Sequence, residues 1–170
     1  MTWIGAGLEA KTDILRQIHA LEPCQRFQPE SAAVDTLPLP FYQGGLLIRC
    51  RDRGWRESGD YLWYVKLPGQ EIIALDGSVA NIHHLNFHAG LRLTEALLPA
   101  YLKFRLFFGK EGENRRGIVE DRPVAIEMSG ADFICTCSFH EEHKLYTGRF
   151  KITLRGETEL LEKNLRPADC

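Results

Sequence analysis

Two segments of the chain place their apolar residues with the period of an α-helix. In residues 8–22 the apolar side chains fall near one face and the polar ones fall elsewhere, and Pro23 ends the pattern. Residues 94–108 carry a broader apolar stripe, in which Pro99 is tolerable only in the first turn. We therefore predict two main helices, the second of them a core helix that is regular from Pro99 onward.

Five further segments are predicted to be strands: 41–50, 61–67, 71–75, 132–139 and 144–155. Alternation with a period of two supports the last two, and residues 61–67 are dense in aromatic and β-branched types. Asp76-Gly77 is a strong hairpin signal, so we expect residues 61 to about 86 to form a three-stranded antiparallel meander. The last two strands form a hairpin with one face buried and the other solvated. A further short strand is expected near Ile118.

The connections complete the predicted architecture. We expect Gln25–Pro40 to be an irregular connection, Gly44-Gly45 to mark a bulge or a close backbone approach, Gly109–Gly117 to be an exposed loop and residues 157–164 to form a short terminal helix. The order of elements predicts an α+β fold, with a mostly antiparallel sheet of about six or seven strands packed against two main helices. Residues 1–170 are predicted to form a single domain.

Composition narrows the class of protein. With 44% hydrophobic and 26% charged residues, the 170-residue chain can bury an ordinary core and is not disordered throughout. The net charge of −2 counts against a dedicated nucleic-acid binder. Five widely spread cysteines do not indicate a disulfide scaffold, and we find no signal peptide or membrane-spanning run. We expect a cytoplasmic protein that is not in a membrane.

Cys135, Cys137, His140 and His143 bear the side chains that zinc prefers, within nine residues. A strand through 132–139 places both cysteines on the core face and turns His140 to the opposite face. Cys135 and His140 would then lie about 16 Å apart. We therefore interpret the cysteines as core residues and predict no metal site or other cofactor, with these four residues as the remaining candidate ligands.

His83, His84 and His88 form a second cluster. On a helix, His84 and His88 would share one face as in metalloprotease motifs, although the glutamate of that motif is absent. On the predicted strand these two histidines would lie about 13 Å apart. We favour hydrogen-bonded histidines at the end of the meander. The alternative is a metal-dependent or histidine-based enzyme, in which two imidazoles meet in a pocket.

The run from Arg49 to Arg56 contains four arginines and Trp55. Arginine and tryptophan together can bind a phosphate and stack on a base, but interleaved acids can also pair with the arginines locally. Arg51, Arg53, Trp55 and Arg56 are our candidate binding residues in this run, together with His84 and His88. A polyanion or nucleic-acid binder is the second alternative function.

No catalytic motif stands out along the chain, so we lean against an enzyme. Trp3, Trp55 and Phe107 are aromatic residues in segments that we expect at the surface, and exposed aromatics anchor interfaces. The leading hypothesis is a small non-catalytic module that binds a protein or a ligand. Its partner would be another protein or a second copy of this chain.

Overall fold

The structure, a computed structural model, describes residues 2–23, 27–52, 61–109, 116–119 and 122–166. These residues form three helices and two antiparallel five-stranded sheets, which confirms the α+β class. The single sheet of six or seven strands was wrong, because ten strands form two sheets. The chain divides into two compact units, Met1–Asp76 and Gly77–Cys170. The single domain stays a prediction.

The first unit contains one helix and five strands. Its elements are β1 (Ile4–Gly5), α1 (Leu8–Leu21), β2 (Ala32–Leu39), β3 (Gly45–Asp52), β4 (Leu62–Lys66) and β5 (Ile73–Ala74). The strands lie side by side in chain order, and every neighbouring pair is antiparallel. Helix α1 begins and ends within a residue of its predicted bounds, as does β4.

A buried cluster joins α1 to one face of this sheet. Ile14, Leu15 and Ile18 are the buried residues of the helix, at the spacing that one helical face requires. They belong to the same core cluster as Val34, Ile48, Cys50 and Tyr64 of the strands. Because strand side chains alternate, the residues between these positions lie on the opposite face of the sheet.

The second unit contains two helices and five strands. Its elements are α2 (Val79–His88), α3 (Leu98–Phe108), β6 (Arg116–Ile118), β7 (Ala125–Ser129), β8 (Asp132–Glu141), β9 (Lys144–Ile152) and β10 (Thr158–Leu165). The sheet order is β10-β9-β8-β6, with β7 also pairing with β8. The β8–β9 pairing confirms the predicted hairpin, although Ile134 and Ser138, on the face of β8 expected to be solvated, are buried. Helix α3 contains Pro99 in its first turn, as expected, and is buried at most positions.

Two predicted connections proved to be parts of a hairpin. Most of the supposedly irregular segment Gln25–Pro40 forms β2, while residues 24–26 lie outside the described part of the chain. The three prolines of this segment favoured an irregular connection, but Pro38 is accommodated in β2, beyond the two β2 residues that pair with β1. Gly44, with φ of 71°, belongs to the β2–β3 turn and not to a bulge inside a strand, whereas Gly45 does lie in a close approach, since a Cβ there would be 2.8 Å from Cβ of Tyr42.

The third strand of the predicted meander was also wrong. Residues 79–88 form α2, and the hydroxyl of Ser78 caps this helix by accepting a hydrogen bond from the Asn81 amide at 3.1 Å. Ile82, Leu85 and Asn86 are buried at helical spacing. Gly77 has a positive φ of 81°, but the chain enters a helix after it and not a hairpin strand.

The C-terminal segment differs as well. The predicted helix at 157–164 is β10, which pairs with β9 along most of its length. Strand β7 was missed, and it pairs with β8 from Ala125↔Thr136 to Ser129↔Asp132. In the predicted loop Gly109–Gly117, Gly109 caps α3 and Arg116 begins β6, whereas residues 110–115 lie outside the described residues.

Candidate functional site

One face of the first sheet gathers three aromatic rings, two arginines and an aspartate. We call this set the arginine–aromatic face; its members are Trp3, Asp35, Arg49, Arg51, Tyr61 and Trp63. All six side chains are half-buried. Half-burial holds each side chain in place and still leaves part of it accessible to a ligand.

The strand register explains why these residues meet. Asp35 of β2 and Trp63 of β4 lie directly opposite Arg49 of β3, one on each side. Arg51 follows Arg49 by two residues and therefore shares its face. Tyr61 precedes Trp63 by the same interval, and their ring centres are 5.8 Å apart. Alternation along two paired strands thus builds most of the face.

Arg49 is the centre of the face. Its guanidinium carbon lies 4.3 Å from the ring centre of Trp3 and 4.8 Å from that of Tyr61, which are cation–π distances. Its Nε donates a hydrogen bond to Oδ2 of Asp35 at 2.9 Å. The rings and the carboxylate together hold the guanidinium in one orientation. Trp3 in turn lies 5.8 Å from Trp63, centre to centre.

Arg51 stands at the margin of the face and differs from Arg49. Its guanidinium carbon lies 5.1 Å from the ring centre of Tyr61. Its Nε is buried and makes no hydrogen bond to any described residue. A buried N–H without an acceptor is destabilising, so this Nε is an unsatisfied donor within the described part of the face.

Cys50 lies between the two arginines in sequence but points to the other side of the sheet. It is fully buried in the core cluster with α1. Burial, and to a smaller extent the carboxylates of Asp52 and Asp35, raises the pKa of the thiol to about 12. A thiol with such a pKa stays protonated at neutral pH, so Cys50 is not a nucleophile.

The sequence predicted part of this site. Arg51 was among the predicted binding residues, whereas Arg53, Trp55 and Arg56 lie outside the described residues. Trp3 was expected at the surface; both it and Phe107 are half-buried. Tyr61 and Trp63 lie in segment 61–67, which was predicted only to be a strand. The signal that we missed was the matching two-residue spacing of Arg49-x-Arg51 and Tyr61-x-Trp63 in neighbouring strands.

The three clustered histidines lie on α2 and are all exposed. The predicted strand would have separated His84 and His88, but the helix brings their ring centres to 4.2 Å. Phe87 is 84% exposed beside them, and its ring centre is 5.3 Å from that of His88. The two imidazoles therefore come close together, on an open helix surface and not in a pocket.

The four candidate zinc ligands do not come together. Cys135 and Cys137 are buried in β8, while His140 and His143 are exposed. Burial raises the pKa of the two thiols to about 11 and about 12 respectively. Within the described ranges, no group of three or more His, Cys, Asp or Glu side chains is arranged to bind a metal ion.

A charged cluster at the end of β8 was not foreseen. The carboxylate of Glu141 is almost fully buried and accepts a hydrogen bond from Nε of Arg116 at 2.7 Å and another from the ammonium of Lys163. Arg116 belongs to β6 and Lys163 to β10. Its two charge partners come from strands at opposite edges of the sheet. We therefore interpret Glu141 as a structural residue that links these two strands.

A buried polar network joins the helices of the second unit to the turn before β10. The hydroxyl of Tyr101 donates to the carbonyl of Gly156 at 2.7 Å, and Nδ2 of Asn86 donates to that hydroxyl at 2.8 Å. Burial raises the pKa of Tyr101 to about 12. The same Asn86 nitrogen donates to the carbonyl of Arg155 at 3.2 Å. We therefore interpret these contacts as structural.

Comparisons with family models, curated proteins and solved structures find no match to this chain. Among the helices of the described residues, none has the length and apolar character needed to cross a membrane. The class of protein is accordingly the one defined by its fold and its site: an α+β protein with an arginine–aromatic face on its first sheet.

Proposed function

We propose that this protein is a non-catalytic binding module, and that another protein docks on the arginine–aromatic face. The observation that carries the proposal is the contact of Arg49 with the rings of both Trp3 and Tyr61, on the same face as Trp63 and Arg51. Trp, Tyr and Arg are the residue types that contribute most of the binding energy at protein interfaces.

The rigidity of the face supports the proposal. Binding costs free energy when flexible side chains must be ordered, and arginine is among the most flexible. Here the Asp35 carboxylate and two rings already hold Arg49. A partner would therefore meet an ordered surface and lose less entropy on binding.

The charges on the arginine–aromatic face indicate which chemical groups the partner should carry. Asp35 neutralises Arg49 at 2.9 Å, so the net positive charge of the described face comes from Arg51. A carboxylate or a backbone carbonyl of the partner would hydrogen-bond to the accessible part of the half-buried Arg51 side chain. We expect apolar or aromatic groups of the partner to cover Trp3 and Trp63, with an oxygen acceptor at the margin.

The test begins with affinity capture from cells that express the protein, followed by identification of the captured protein and calorimetry with both purified partners. Trp3→Ala and Arg51→Gln should each weaken binding by about 30-fold, the effect of losing a side chain worth about 2 kcal/mol. Arg16→Gln is the matched control, because the Arg16 side chain is 79% exposed on α1, in the same unit. Wild-type affinity in both Trp3→Ala and Arg51→Gln would contradict the proposal.

A single-stranded nucleic acid is the second candidate ligand. The same cation–π geometry can stack bases, and Arg51 can approach a phosphate. Fluorescence titration with a single-stranded oligonucleotide at several salt concentrations separates the candidates. Binding to phosphates weakens steeply as salt rises, whereas a protein interface with an aromatic centre changes little.

The enzyme alternative has weaker support in the geometry. It requires two imidazoles that converge in a pocket, since substrates bind in concave sites. His84 and His88 do approach each other, but both are exposed. The closeness of these rings instead leads to a different inference.

A further inference from the structure

His84 and His88 lie one helical turn apart on α2. Residues four apart on a helix project from the same face, and these two rings are 4.2 Å apart between centres, with 51° between their planes. His83 belongs to the same exposed cluster, but its direction around the helix axis differs by about 100° from that of its neighbour His84. The helix therefore pairs two of its three histidines.

The distance between the two rings suits the binding of one metal ion by both imidazoles. Imidazole nitrogens bind divalent transition metals at about 2.0–2.1 Å, so two nitrogens on adjacent coordination positions lie about 3 Å apart. Rings with centres 4.2 Å apart can present nitrogens at that separation after small side-chain rotations. Both rings are exposed, so an ion can reach them directly from solvent.

We propose that His84 and His88 form a two-ligand binding site for a divalent ion of the Cu²⁺, Ni²⁺ and Zn²⁺ group. Water completes the coordination sphere, because other described His, Cys, Asp and Glu side chains do not join the pair in a cluster of three. Neutral imidazole suits these ions, whereas Mg²⁺ and Ca²⁺ prefer oxygen ligands. Among the three, affinity should be highest for Cu²⁺.

The surroundings of the pair favour ordered binding. Ser78 caps α2, and Ile82 and Leu85 anchor its other side, so the backbone that carries the ligands is held in helical form. Phe87 covers one side of His88 with an edge-on ring. A preformed spacing means that little entropy is lost when the second imidazole binds.

The site is independent of the proposed protein-binding function. Its residues belong to α2, in the second compact unit, whereas the arginine–aromatic face belongs to the first. Loss of metal binding would leave the docking proposal untouched, and a failed docking experiment would leave the metal site untouched.

The test uses the full, untagged chain and Ni²⁺ as the probe, in isothermal titration calorimetry and in amide NMR spectra. We expect one Ni²⁺ per chain, with paramagnetic broadening of amide signals centred on α2. His84→Ala and His88→Ala should each weaken binding by about 100-fold or more, because each leaves a single ligand and removes the chelate. Both positions are exposed, so the variants should fold as the wild type does.

His83→Ala is the matched control, since it removes an exposed imidazole from the same helix without touching the pair. It should retain wild-type affinity. The proposal is overturned if His83→Ala weakens Ni²⁺ binding as much as His84→Ala does. It is equally overturned if the broadened signals lie elsewhere in the chain, or if no heat of binding is measured with Ni²⁺.

Discussion

At the scale of single residues, Asp13 shows how a surface carboxylate can make stability depend on pH. Oδ2 accepts a hydrogen bond from Lys66 at 2.9 Å, and Oδ1 pairs with Arg16 at 2.5 Å. The hydrogen bond from Lys66, and then that from Arg16, lowers the pKa of Asp13 below its ordinary value of 3.8. The folded state thus favours the charged carboxylate, which links α1 to β4.

We predict that Asp13→Asn lowers stability at neutral pH and loses this effect in acid. A group whose folded-state pKa is depressed contributes stability above its unfolded pKa, and that contribution disappears as the pH falls through the folded-state value. Urea unfolding of both proteins at pH values from about 7 down to about 2.5 should show midpoints that converge below about pH 4.

The control for that series is Glu30→Gln, which changes an exposed carboxylate in the turn before β2. Its midpoint should follow that of the wild type across the whole range. A difference between Asp13→Asn and the wild type that stays constant from pH 7 to pH 2.5 would show that the ion pairs with Lys66 and Arg16 do not stabilise the fold.

Sequence reasoning at this scale succeeded where the local element was correct. In β8, alternation placed Cys135 and Cys137 in the core and His140 on the solvated side, as observed. For His84 and His88 the same reasoning failed, because a strand was assumed where the chain is helical. The face on which a side chain lies can be predicted only if its segment is correctly assigned as helix or strand, because the two elements have different periods.

At the scale of elements, the hydroxyl of Tyr101 is a shared contact between α3, α2 and the turn before β10. It accepts from Asn86 and donates to the carbonyl of Gly156. Both contacts are buried, so water cannot replace them at low cost. A single oxygen atom therefore connects three segments that are distant in sequence.

We predict that Tyr101→Phe destabilises the protein by about 1–3 kcal/mol, because it removes the donor to a buried carbonyl without changing the ring. Chemical denaturation measures this free energy of unfolding. Tyr146→Phe is the control, since Tyr146 is half-exposed and its stacking on Phe139 depends on the ring alone. Equal stability of Tyr101→Phe and the wild type would mean that the network makes no net contribution.

The elements that sequence reasoning missed were those for which local preference and tertiary pairing disagree. Strand β10 contains Glu, Leu and Lys, which favour helices, yet it pairs with β9 through a register shift between Leu160 and Glu162. Helix α2 is only ten residues long and its apolar positions also fit a weak alternation. In both cases long-range contacts decide the structure, and a single sequence does not display them.

At the scale of the whole molecule, the tryptophans and buried cysteines are distributed so that the unfolding of each compact unit can be measured. All three tryptophans, Trp3, Trp55 and Trp63, belong to residues 1–76. Buried thiols are present in both units, with Cys50 in the first and Cys135 and Cys137 in the second. Unfolding of each unit can therefore be followed in one unmodified protein.

We predict that the two units unfold together, as a single domain should. During denaturation by guanidinium, tryptophan fluorescence and alkylation of Cys50 should follow the same curve as alkylation of Cys135 and Cys137, measured by mass spectrometry of peptides. Coincident curves would establish one cooperative domain. Separate midpoints, with the Cys135 and Cys137 curve displaced from that of Cys50, would establish two domains.

The class of fold was predictable from sequence, but the number of sheets was not. Alternation and helical periodicity identify strands and helices one at a time, which is enough for an α+β assignment. Which strands share a sheet depends on pairing between distant segments, such as β6 and β7 with β8. The arginine–aromatic face depends on pairing in the same way, since its residues come from several strands.

The backbone conformation and surroundings of Gly156 restrict which residues can replace it during evolution. Its φ of 79° lies in the left-handed region, and a Cβ on it would collide with the Tyr101 hydroxyl and the Asn86 amide. Few amino-acid substitutions at this position are therefore compatible with the folded protein. Its neighbour Arg155 is exposed and contributes its backbone carbonyl to the network, so many side chains can replace it. In homologous sequences, we therefore expect glycine to be retained at position 156 while position 155 varies. That pattern would indicate that the same buried network is present.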